Sequence, residues 1–223
     1  MAPEARWSEN SVDQKSVADV QSRLLKAATH LFIKKGYRGV SIREIAERAK
    51  TNSALISYYF GDKEGLFIQV FKTVAAPLNA KRVASFEKLE EAGEITVESV
   101  VRAWVAPMFE GASLSKESPI AALSLSLNAE HGKLSEDLIL EIYDVINLRF
   151  LALLERCLPE VSRETLVWRL YFLVGAILTA TRPHGRSVKR LTDGRVTSQD
   201  SDEFINQLVQ FAAAGFRASA PTR

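Results

Sequence analysis

Apolar residues recur at helical spacing along most of this chain. Between residues 17 and 35 they fill one face of a predicted helix, and the same period of three to four residues returns in each later segment. No convincing run of alternating apolar and polar residues indicates a strand. The pattern therefore predicts an all-α protein, with helices at about residues 17–35, 42–49, 53–59, 63 onward, 96–109, 119–130, 135–157, 162–181 and 200–217.

Glycine, proline and polar clusters separate these helices. Gly36 is expected to end the first helix, and Pro77 is expected to kink or interrupt the fourth. Residues 1–16 are polar and show no period, so we expect a disordered tail there and no secretory signal. Loops are expected at residues 111–118 and 182–199, of which the second is rich in arginine and lysine.

Residues 41–63 are typical of two short helices joined by a tight turn. Ser41 can cap the first helix, and Glu44 three residues later can complete a capping box. Either Asn52 or Ser53 can cap the second helix. The first helix has a single apolar face, formed by Ile42, Ile45, Ala46 and Ala49.

The second of these helices has an unusual surface. Leu55 and Ile56 can anchor it, whereas its other faces carry small or hydrogen-bonding side chains. These side chains belong to Ser53, Ala54, Ser57, Tyr58 and Tyr59. A helix of this kind, flanked by basic residues, is suited to insertion into the major groove of DNA.

The charge distribution agrees with a nucleic-acid partner. The whole chain carries a net charge of only +2, but residues 20–63 contain nine basic and three acidic side chains. This segment therefore carries +6, and the remainder of the chain carries −4. A basic segment attached to a mildly acidic body is typical of a domain that contacts DNA.

Length and composition fit a helical protein with a substantial core. The 223 residues allow one large domain or two small ones, and 47% of them are hydrophobic. Cys157 is the single cysteine, so no intramolecular disulfide can form, which fits a reducing compartment. No uninterrupted apolar run reaches the roughly 18 residues of a membrane span. We therefore expect a cytoplasmic protein without a membrane segment.

The run from Arg23 to Phe67 resembles the DNA-binding domain of TetR-type (tetracycline-repressor-like) bacterial transcription regulators. The residues that carry the resemblance are Leu24-Leu25-Lys26-Ala27-Ala28, Leu31-Phe32, Gly36-Tyr37, Ser41-Ile42, Ile45-Ala46, Ala49, Tyr59-Phe60 and Lys63-Glu64-Gly65-Leu66. The chain departs from the family at Ser57, where Tyr is more usual, and at Ala54, where Gly is common. These positions face DNA in the family, so the departures bear on which bases are recognised.

The resemblance implies an N-terminal three-helix helix-turn-helix DNA-binding domain at residues 17–62. It also implies a larger C-terminal helical domain for ligand binding and dimerisation at residues 63–223. In the family the residue matching Lys63 contacts a DNA phosphate, and a cation beside the exposed N–H groups of a helix start makes a suitable anion site. The residues expected to contact bases or phosphates are Ser53, Ser57, Tyr58 and Tyr59, together with Asn52 and Ala54 on the same surface. Those expected mainly to hold phosphates are Ser41, Arg43, Thr51 and Lys63.

The last two long helices of TetR-type regulators pair with their copies across a two-fold axis. The helices near 162–181 and 200–217 match that arrangement, and the first of them is apolar on more than one face. The resemblance therefore implies a homodimer. A two-fold dimer presents two recognition helices, so the expected partner is double-stranded DNA with a palindromic operator.

A small hydrophobic effector is expected to bind between the helices of residues 96–178. Ordinary core packing is the alternative for each aromatic residue there. The candidate lining residues are Trp104, Met108, Leu123, Leu127, Phe150, Trp168 and Phe172. Residues 150–154 and 172–176 resemble the branch of the family that includes fatty-acid-responsive regulators, which implies a fatty-acyl compound. No cofactor and no metal is expected.

The sequence offers little that could support catalysis. It contains no HExxH, CxxC, GxSxG or P-loop motif, and His30, His131 and His184 are isolated from one another. We therefore expect a ligand-responsive repressor and not an enzyme. The alternatives are a transcriptional activator of the same family and a dimeric small-molecule-binding protein without DNA regulation. A lack of salt-dependent DNA affinity would indicate the latter.

Overall fold

The computed structural model of the chain describes residues 9–109, 119–128, 133–180, 185–196 and 201–219. All regular secondary structure in these ranges is helical, which confirms the all-α prediction. The helices are α1 (Glu9–Lys35), α2 (Ile42–Arg48), α3 (Ala54–Phe60), α4 (Lys63–Ala92), α5 (Val97–Val105), α6 (Pro119–Asn128), α7 (Lys133–Cys157), α8 (Arg163–Ala180), α9 (Gly185–Leu191) and α10 (Ser201–Arg217). A short 3-10 turn, Ala106–Met108, which contains Pro107, follows α5.

The chain divides into two compact units, Met1–Thr73 and Val74–Arg223. The division falls within α4, whereas the sequence places the domain boundary at its first residue. Helix α1 begins at Glu9 and not at Val17, so residues 9–16 belong to a helix and not to the expected tail. These residues have no apolar stripe, but a helix nucleated by the buried segment after them can extend through good helix formers such as Gln14 and Lys15. Residues 1–8 lie outside the described residues.

The core of the first unit is built around aromatic side chains. The rings of Phe32 and Phe67 meet edge to face with centroids 5.1 Å apart, and Tyr37 lies 5.0 Å from Phe67. Gly36 ends α1, as predicted, with a φ of 69°. Glycine is favoured at this position because a residue with a side chain is strained in that conformation. This reversal returns Tyr37 to the ring cluster.

Helix α2 packs against α1 through the face that its sequence predicts. Ile45, Ala46 and Ala49 are buried. Arg23 of α1 also donates a 3.3 Å hydrogen bond to the carbonyl oxygen of Ala49, just beyond the last turn of α2. An apolar contact and a hydrogen bond therefore both hold α1 and α2 together.

Phe150 of α7 is at the centre of the second unit. Its ring centroid lies 5.6 Å from Trp104, 5.8 Å from Phe216 and 6.4 Å from Phe86, so that α4, α5, α7 and α10 meet there. Helix α8 adds a buried row of apolar side chains, Leu166, Leu170, Leu173 and Ile177. Among all these elements α10 packs most extensively against α5.

Two predictions about irregular structure differ from the structure. An interruption at Pro77 is wrong, since α4 continues from Lys63 to Ala92 with apolar side chains such as Leu78 and Phe86 buried beyond the proline, whereas a kink at Pro77 stays a prediction. The expected basic loop contains helix α9, which the sequence pattern missed because its arginine and lysine side chains are exposed and no apolar stripe marks it. The loop expected at residues 111–118 lies outside the described residues.

Candidate nucleic-acid interface

The start of α2 is fixed by two side chains that act on different partners. The hydroxyl of Ser41 accepts a 3.2 Å hydrogen bond from the backbone N–H of Glu44, as predicted for an N-cap. The carboxylate of Glu44 does not complete the expected capping box and instead accepts a hydrogen bond from Lys35 at the end of α1. This contact with Lys35 holds the pKa of Glu44 below its ordinary value. Because a hydroxyl that accepts can still donate, Ser41 retains a proton for a phosphate oxygen.

The turn between α2 and α3 depends on an unusual backbone conformation. Lys50 adopts a left-handed φ of 52°, and the next residue, Thr51, donates its N–H to the carbonyl oxygen of Ala46 at 3.0 Å. The side-chain oxygen of Asn52 then accepts a 2.9 Å hydrogen bond from the N–H of Ala54. Asn52, and not Ser53, is therefore the residue whose side chain caps α3.

Helix α3 is held from one side and presents polar groups on the other. Ile56 is fully buried, whereas Ala54, Ser57 and Tyr58 are exposed. The Tyr58 side chain is 79% exposed and meets the half-buried ring of Tyr59 edge to face at 4.9 Å. A helix with a hydroxyl group, a phenol and a methyl group on its open face can contact base edges in a major groove.

The junction between α3 and α4 brings a cation close to α3. Asp62 caps α4 by accepting a 2.8 Å hydrogen bond from the N–H of Gly65. The ammonium group of Lys63 lies 4.4 Å from the ring centroid of Tyr37, which orients the lysine at the first turn of α4. Gly65 has no room for a side chain, because an added Cβ would lie 2.0 Å from the carbonyl oxygen of Phe60.

The predicted DNA-facing residues all lie at the surface of the first unit to some degree. Ser41, Arg43, Asn52, Ala54, Ser57 and Tyr58 are exposed, and Thr51, Ser53, Tyr59 and Lys63 are half-buried. The set combines a helix start, a tight turn and the outer face of α3, which is the arrangement of a helix-turn-helix motif.

The structure adds a basic cleft that sequence reasoning did not assign to the site. Arg23 and Lys26 of α1 line it together with Arg48 and Lys50 at the end of α2, and its volume is about 280 Å³. The excess of basic residues between positions 20 and 63 was the available signal, but only the packing of α1 on α2 brings these four cations together. Such a cluster is chemically suited to bind phosphate groups.

Comparison with known families agrees with this geometry. Residues 24–70 match the family described as bacterial regulatory proteins, tetR family, and residues 102–215 match the tetracyclin repressor-like C-terminal domain. The chain belongs to the TetR family. The second match covers α7 and α8 in full and most of α10, so the family resemblance extends well beyond the helix-turn-helix.

Similar proteins are described as regulators. The HTH-type transcriptional repressor NicS of Pseudomonas putida is 44% identical over 59 residues, which are 26% of this chain and 28% of NicS. The chain thus spans little more than a quarter of that curated relative. The structure of HlyIIR, a hemolysin II transcriptional regulator, has a TM-score of 0.60 at 21% identity and covers 87% of this chain and 97% of its own. FadR from Bacillus subtilis in complex with stearoyl-CoA has a TM-score of 0.60 at 15% identity and covers 87% of this chain and 98% of its own.

The predicted ligand-lining residues of this TetR-family chain fall into two groups. Trp104, Leu123, Leu127 and Phe150 are buried in the second unit, and Met108 is half-buried against the same core. The remaining two, Trp168 and Phe172, are 65% and 68% exposed on α8 and lie outside the core. Helix α8 is apolar on two sides, and sequence periodicity could not assign these two aromatic residues to the correct side.

The exposed side of α8 forms one continuous apolar stripe. Trp168, Tyr171 and Phe172 follow each other along the same helical face as Gly175, and no heavy atom lies within 4 Å of a Cβ added at Gly175. Helix α10 likewise exposes Phe211. The stripe of α8 and the exposed face of α10 are referred to below as the outer face of α8 and α10.

The described residues were compared with the requirements of a membrane-spanning helix and of a metal site. None of the described helices is long and apolar enough to cross a membrane. In the same part of the chain no group of three or more His, Cys, Asp or Glu side chains could hold a metal ion.

Proposed function

We propose that this chain is a transcriptional repressor that binds a palindromic operator as a homodimer and is released from it by a small effector. The observation that carries the proposal is the open face of α3, where Ser57 and Tyr58 are exposed while Ile56 anchors the helix from behind. A core helix would bury a tyrosine of this size. An exposed tyrosine beside a hydroxyl on a capped, glycine-bounded helix is suited to contact bases instead.

Phosphate contacts are expected to surround this helix. Arg43 and Ser41 lie at the start of α2, and Lys63 lies at the start of α4 beside the N–H groups of its first turn. Charged and N–H donors at helix starts are the groups that position a protein on the DNA backbone without reading sequence. The basic cleft of Arg23 and Lys50 supplies further positive charge to the same unit.

The outer face of α8 and α10 supports the homodimer. A monomer would leave Trp168, Phe172 and Phe211 in water, and contiguous exposed apolar surface of this kind marks an interface. The open space beside Gly175 and Gly215 would allow the backbones of two partner helices to approach closely. A two-fold dimer then presents two copies of α3 to successive major grooves of one duplex.

Similar proteins and linkage support the proposed sense of regulation and the proposed effector class. NicS is described as a repressor, and the FadR structure contains stearoyl-CoA. By analogy we propose repression by this chain and an effector with an apolar body, for which a fatty-acyl compound is one candidate. Effector and operator would each favour a different arrangement of the dimer, so that each weakens the other by the same factor, about 1–3 kcal/mol of coupling. We place this coupling in α4, which contributes residues to both units.

The first experiment is selection of genomic fragments by the purified protein, followed by footprinting and by fluorescence anisotropy on the enriched sequence. A palindrome should bind much more tightly than its half-site, and equal affinities would contradict the dimeric reading of the operator. Failure of the folded protein to enrich any fragment would contradict the regulator itself.

Single substitutions then separate base contacts from phosphate contacts. Lys63→Ala should weaken binding to all sequences about equally and lower the salt slope by roughly one. Lys88→Ala, which removes the same charge from an exposed site in the second unit, is the matched control and should leave affinity unchanged. A loss confined to the operator would mean that Lys63 reads sequence and does not hold a phosphate.

A further inference from the structure

The second unit contains a buried arginine. Arg82 of α4 is only 2% exposed, and it is the one charged side chain buried to this degree among the described residues. Burial lowers the pKa of Arg82 to about 10, so the guanidinium remains charged at neutral pH. A buried charge is costly for a folded protein unless a partner of opposite charge accompanies it.

No such partner is present in the described part of the chain. Arg82 donates from Nε to the carbonyl oxygen of Trp104 at 2.8 Å, and its Cζ lies 3.9 Å from the centroid of the Trp104 ring. Tyr143 of α7 interacts electrostatically with Arg82, and burial raises the pKa of Tyr143, so the phenol is uncharged at neutral pH. The ion pairs of the described residues include no carboxylate bound to Arg82.

The polar groups around Arg82 are also incompletely bonded. The indole Nε1 of Trp104 and the side-chain oxygens of Asn79 and Asn147 are buried and have no hydrogen-bond partner within the described residues. Asn79 lies one turn before Arg82 on α4 and donates its amide to the carbonyl oxygen of Ile142 at 2.7 Å, which places α4 against α7 at this level. Asn147 lies one turn beyond Tyr143 on α7. Helices α4, α5 and α7 therefore carry a buried cation without a carboxylate partner among the described residues, and three buried polar atoms without a hydrogen-bond partner there.

We propose that Arg82 binds the anionic head of the effector, and that the effector is a small organic carboxylate whose apolar body packs against the Trp104 and Phe150 side of the core. The proposal rests on the proposed function, since it names the ligand class of the same regulator. A carboxylate fits because it can accept two parallel hydrogen bonds from one guanidinium. Trp104 Nε1 can donate to the same anion, and the Asn79 and Asn147 amides can bond a further polar substituent.

The single positive charge of Arg82 favours a ligand with a single negative charge. A monoanion neutralises Arg82, whereas a phosphate monoester with close to two negative charges would leave one of them buried and unpaired. No lysine or arginine is among the groups that shift the pKa of Arg82, so none is identified there to balance the second charge. This argument favours a carboxylate over a phosphorylated ligand of the same size.

The test uses the full-length protein without DNA. The probes are octanoate and phenylacetate, the matched uncharged amides octanamide and phenylacetamide, and phenyl phosphate. Binding of each probe is measured by thermal unfolding and by isothermal titration. We expect the carboxylates to raise the unfolding midpoint of the wild type, and the amides and phenyl phosphate to bind at least tenfold more weakly.

Substitution of Arg82 shows whether this residue is responsible. Arg82→Met should abolish the response to carboxylates while keeping or raising the midpoint of the ligand-free protein, because it removes an unpaired buried charge. Arg82→Lys keeps the charge without the planar fork, so it should weaken carboxylate binding about tenfold, and it serves if the Met variant fails to fold. Arg156→Met, at an exposed arginine of α7, is the matched control and should respond as the wild type does.

Each contrary result overturns a distinct part of the proposal. Carboxylates that stabilise the wild type no better than their amides, or that stabilise Arg82→Met equally, would show that Arg82 is a structural residue. If carboxylates bind through Arg82, a separate anisotropy measurement on the operator follows, and an unchanged operator affinity there would show that the site does not belong to the effector. Because the binding assay contains no DNA, failure of the operator experiment leaves its result unaffected.

Discussion

Arg169 of α8 donates a 2.6 Å hydrogen bond from Nη1 to the carbonyl oxygen of Phe216, in the last turn of α10. Its Nη2 donates a second 2.6 Å bond to the carbonyl oxygen of Ala218, just beyond the helix. The last carbonyl groups of a helix lack partners within it, and positive charge is favoured at that end. One guanidinium thus caps α10 from the neighbouring helix and fixes the two elements of the outer face relative to each other.

Arg169→Met should therefore destabilise the second unit. The variant keeps much of the apolar stem but loses two charge-assisted bonds to backbone oxygens, for which we expect a loss of about 1.5–3 kcal/mol in the free energy of unfolding. Urea unfolding of wild type and variant measures the difference. Arg163→Met removes an exposed ion pair with Glu155 and should cost less than about 1 kcal/mol. Equal losses in the two variants would show that the cap contributes no more than a surface ion pair.

Phe172→Glu should convert a dimer to a monomer. The substitution places a charge in the middle of the apolar stripe of α8, where two copies would have to bury it, while the side chain is 68% exposed in a single chain. Sedimentation velocity at micromolar concentration measures the change. Leu140→Glu, at an exposed apolar residue of α7, should leave the association state unchanged. A dimeric Phe172→Glu variant would place the interface elsewhere.

The cap of α3 can be tested with two adjacent residues. Asn52→Ala removes the oxygen that accepts from Ala54 and should cost about 1 kcal/mol of stability. Ser53→Ala should change stability by less than about 0.5 kcal/mol, because the Ser53 side chain makes no capping bond. Thermal unfolding without DNA separates the two effects from any role in DNA contact. The reverse order would mean that the serine caps the helix in solution.

Two glycines lie at the junction of α3 and α4. We expect Gly65 to be required there and Gly61 to be only preferred. Gly65→Ala places a Cβ 2.0 Å from the carbonyl oxygen of Phe60, so α3 and α4 must separate, at a cost of about 3 kcal/mol. Gly61→Ala meets no heavy atom within 4 Å and carries only the strain of its backbone conformation (φ 79°, ψ −61°), about 1–2 kcal/mol. Denaturant midpoints of both variants measure the order. An equally mild Gly65→Ala variant would show that the junction adapts.

Low pH should weaken the contact between Glu98 and Arg217 in the second unit. Hydrogen bonding to Arg217 holds the pKa of Glu98 below its ordinary value of 4.5. Because the folded-state pKa is the lower one, this stabilisation is fully present above the unfolded-state pKa and is lost as pH falls through the folded-state pKa. The stability difference between wild type and Glu98→Gln should thus be constant above about pH 5 and shrink below it. Glu91→Gln, at an exposed site of α4, is the control, and a difference that stays constant as the pH falls below about 4 would contradict the assignment.

Local signals predicted the first unit well because its elements are defined by neighbours in sequence. Gly36 ends α1 and Ser41 begins α2 through bonds that span only a few residues, so composition and spacing reveal them. The capping box failed for the opposite reason. Glu44 is drawn to Lys35 by the packing of α1 on α2, a contact that no local rule contains.

Residues distant in sequence account for most of what was not predicted in the second unit. Trp168 and Phe172 have the same helical spacing as buried residues, and only the position of α7 and α10 decides which side of α8 faces water. Arg82 gave no sequence signal at all, because Trp104 and Tyr143 reach it from other helices. A lone arginine on a predicted helix is ordinarily a surface residue.

The exposed stripe of α8 has a consequence for how operator occupancy depends on the concentration of the protein. If two copies must pair before either reads a palindrome, operator occupancy at low concentration rises with the square of the amount of protein. A cell that halves its supply then loses more than half of the bound operators, and a small rise in synthesis restores them steeply. The thermal stability of the purified chain would depend on its concentration for the same reason. Three aromatic side chains on one helix would in this way determine how sharply the regulated gene responds to the abundance of its own repressor.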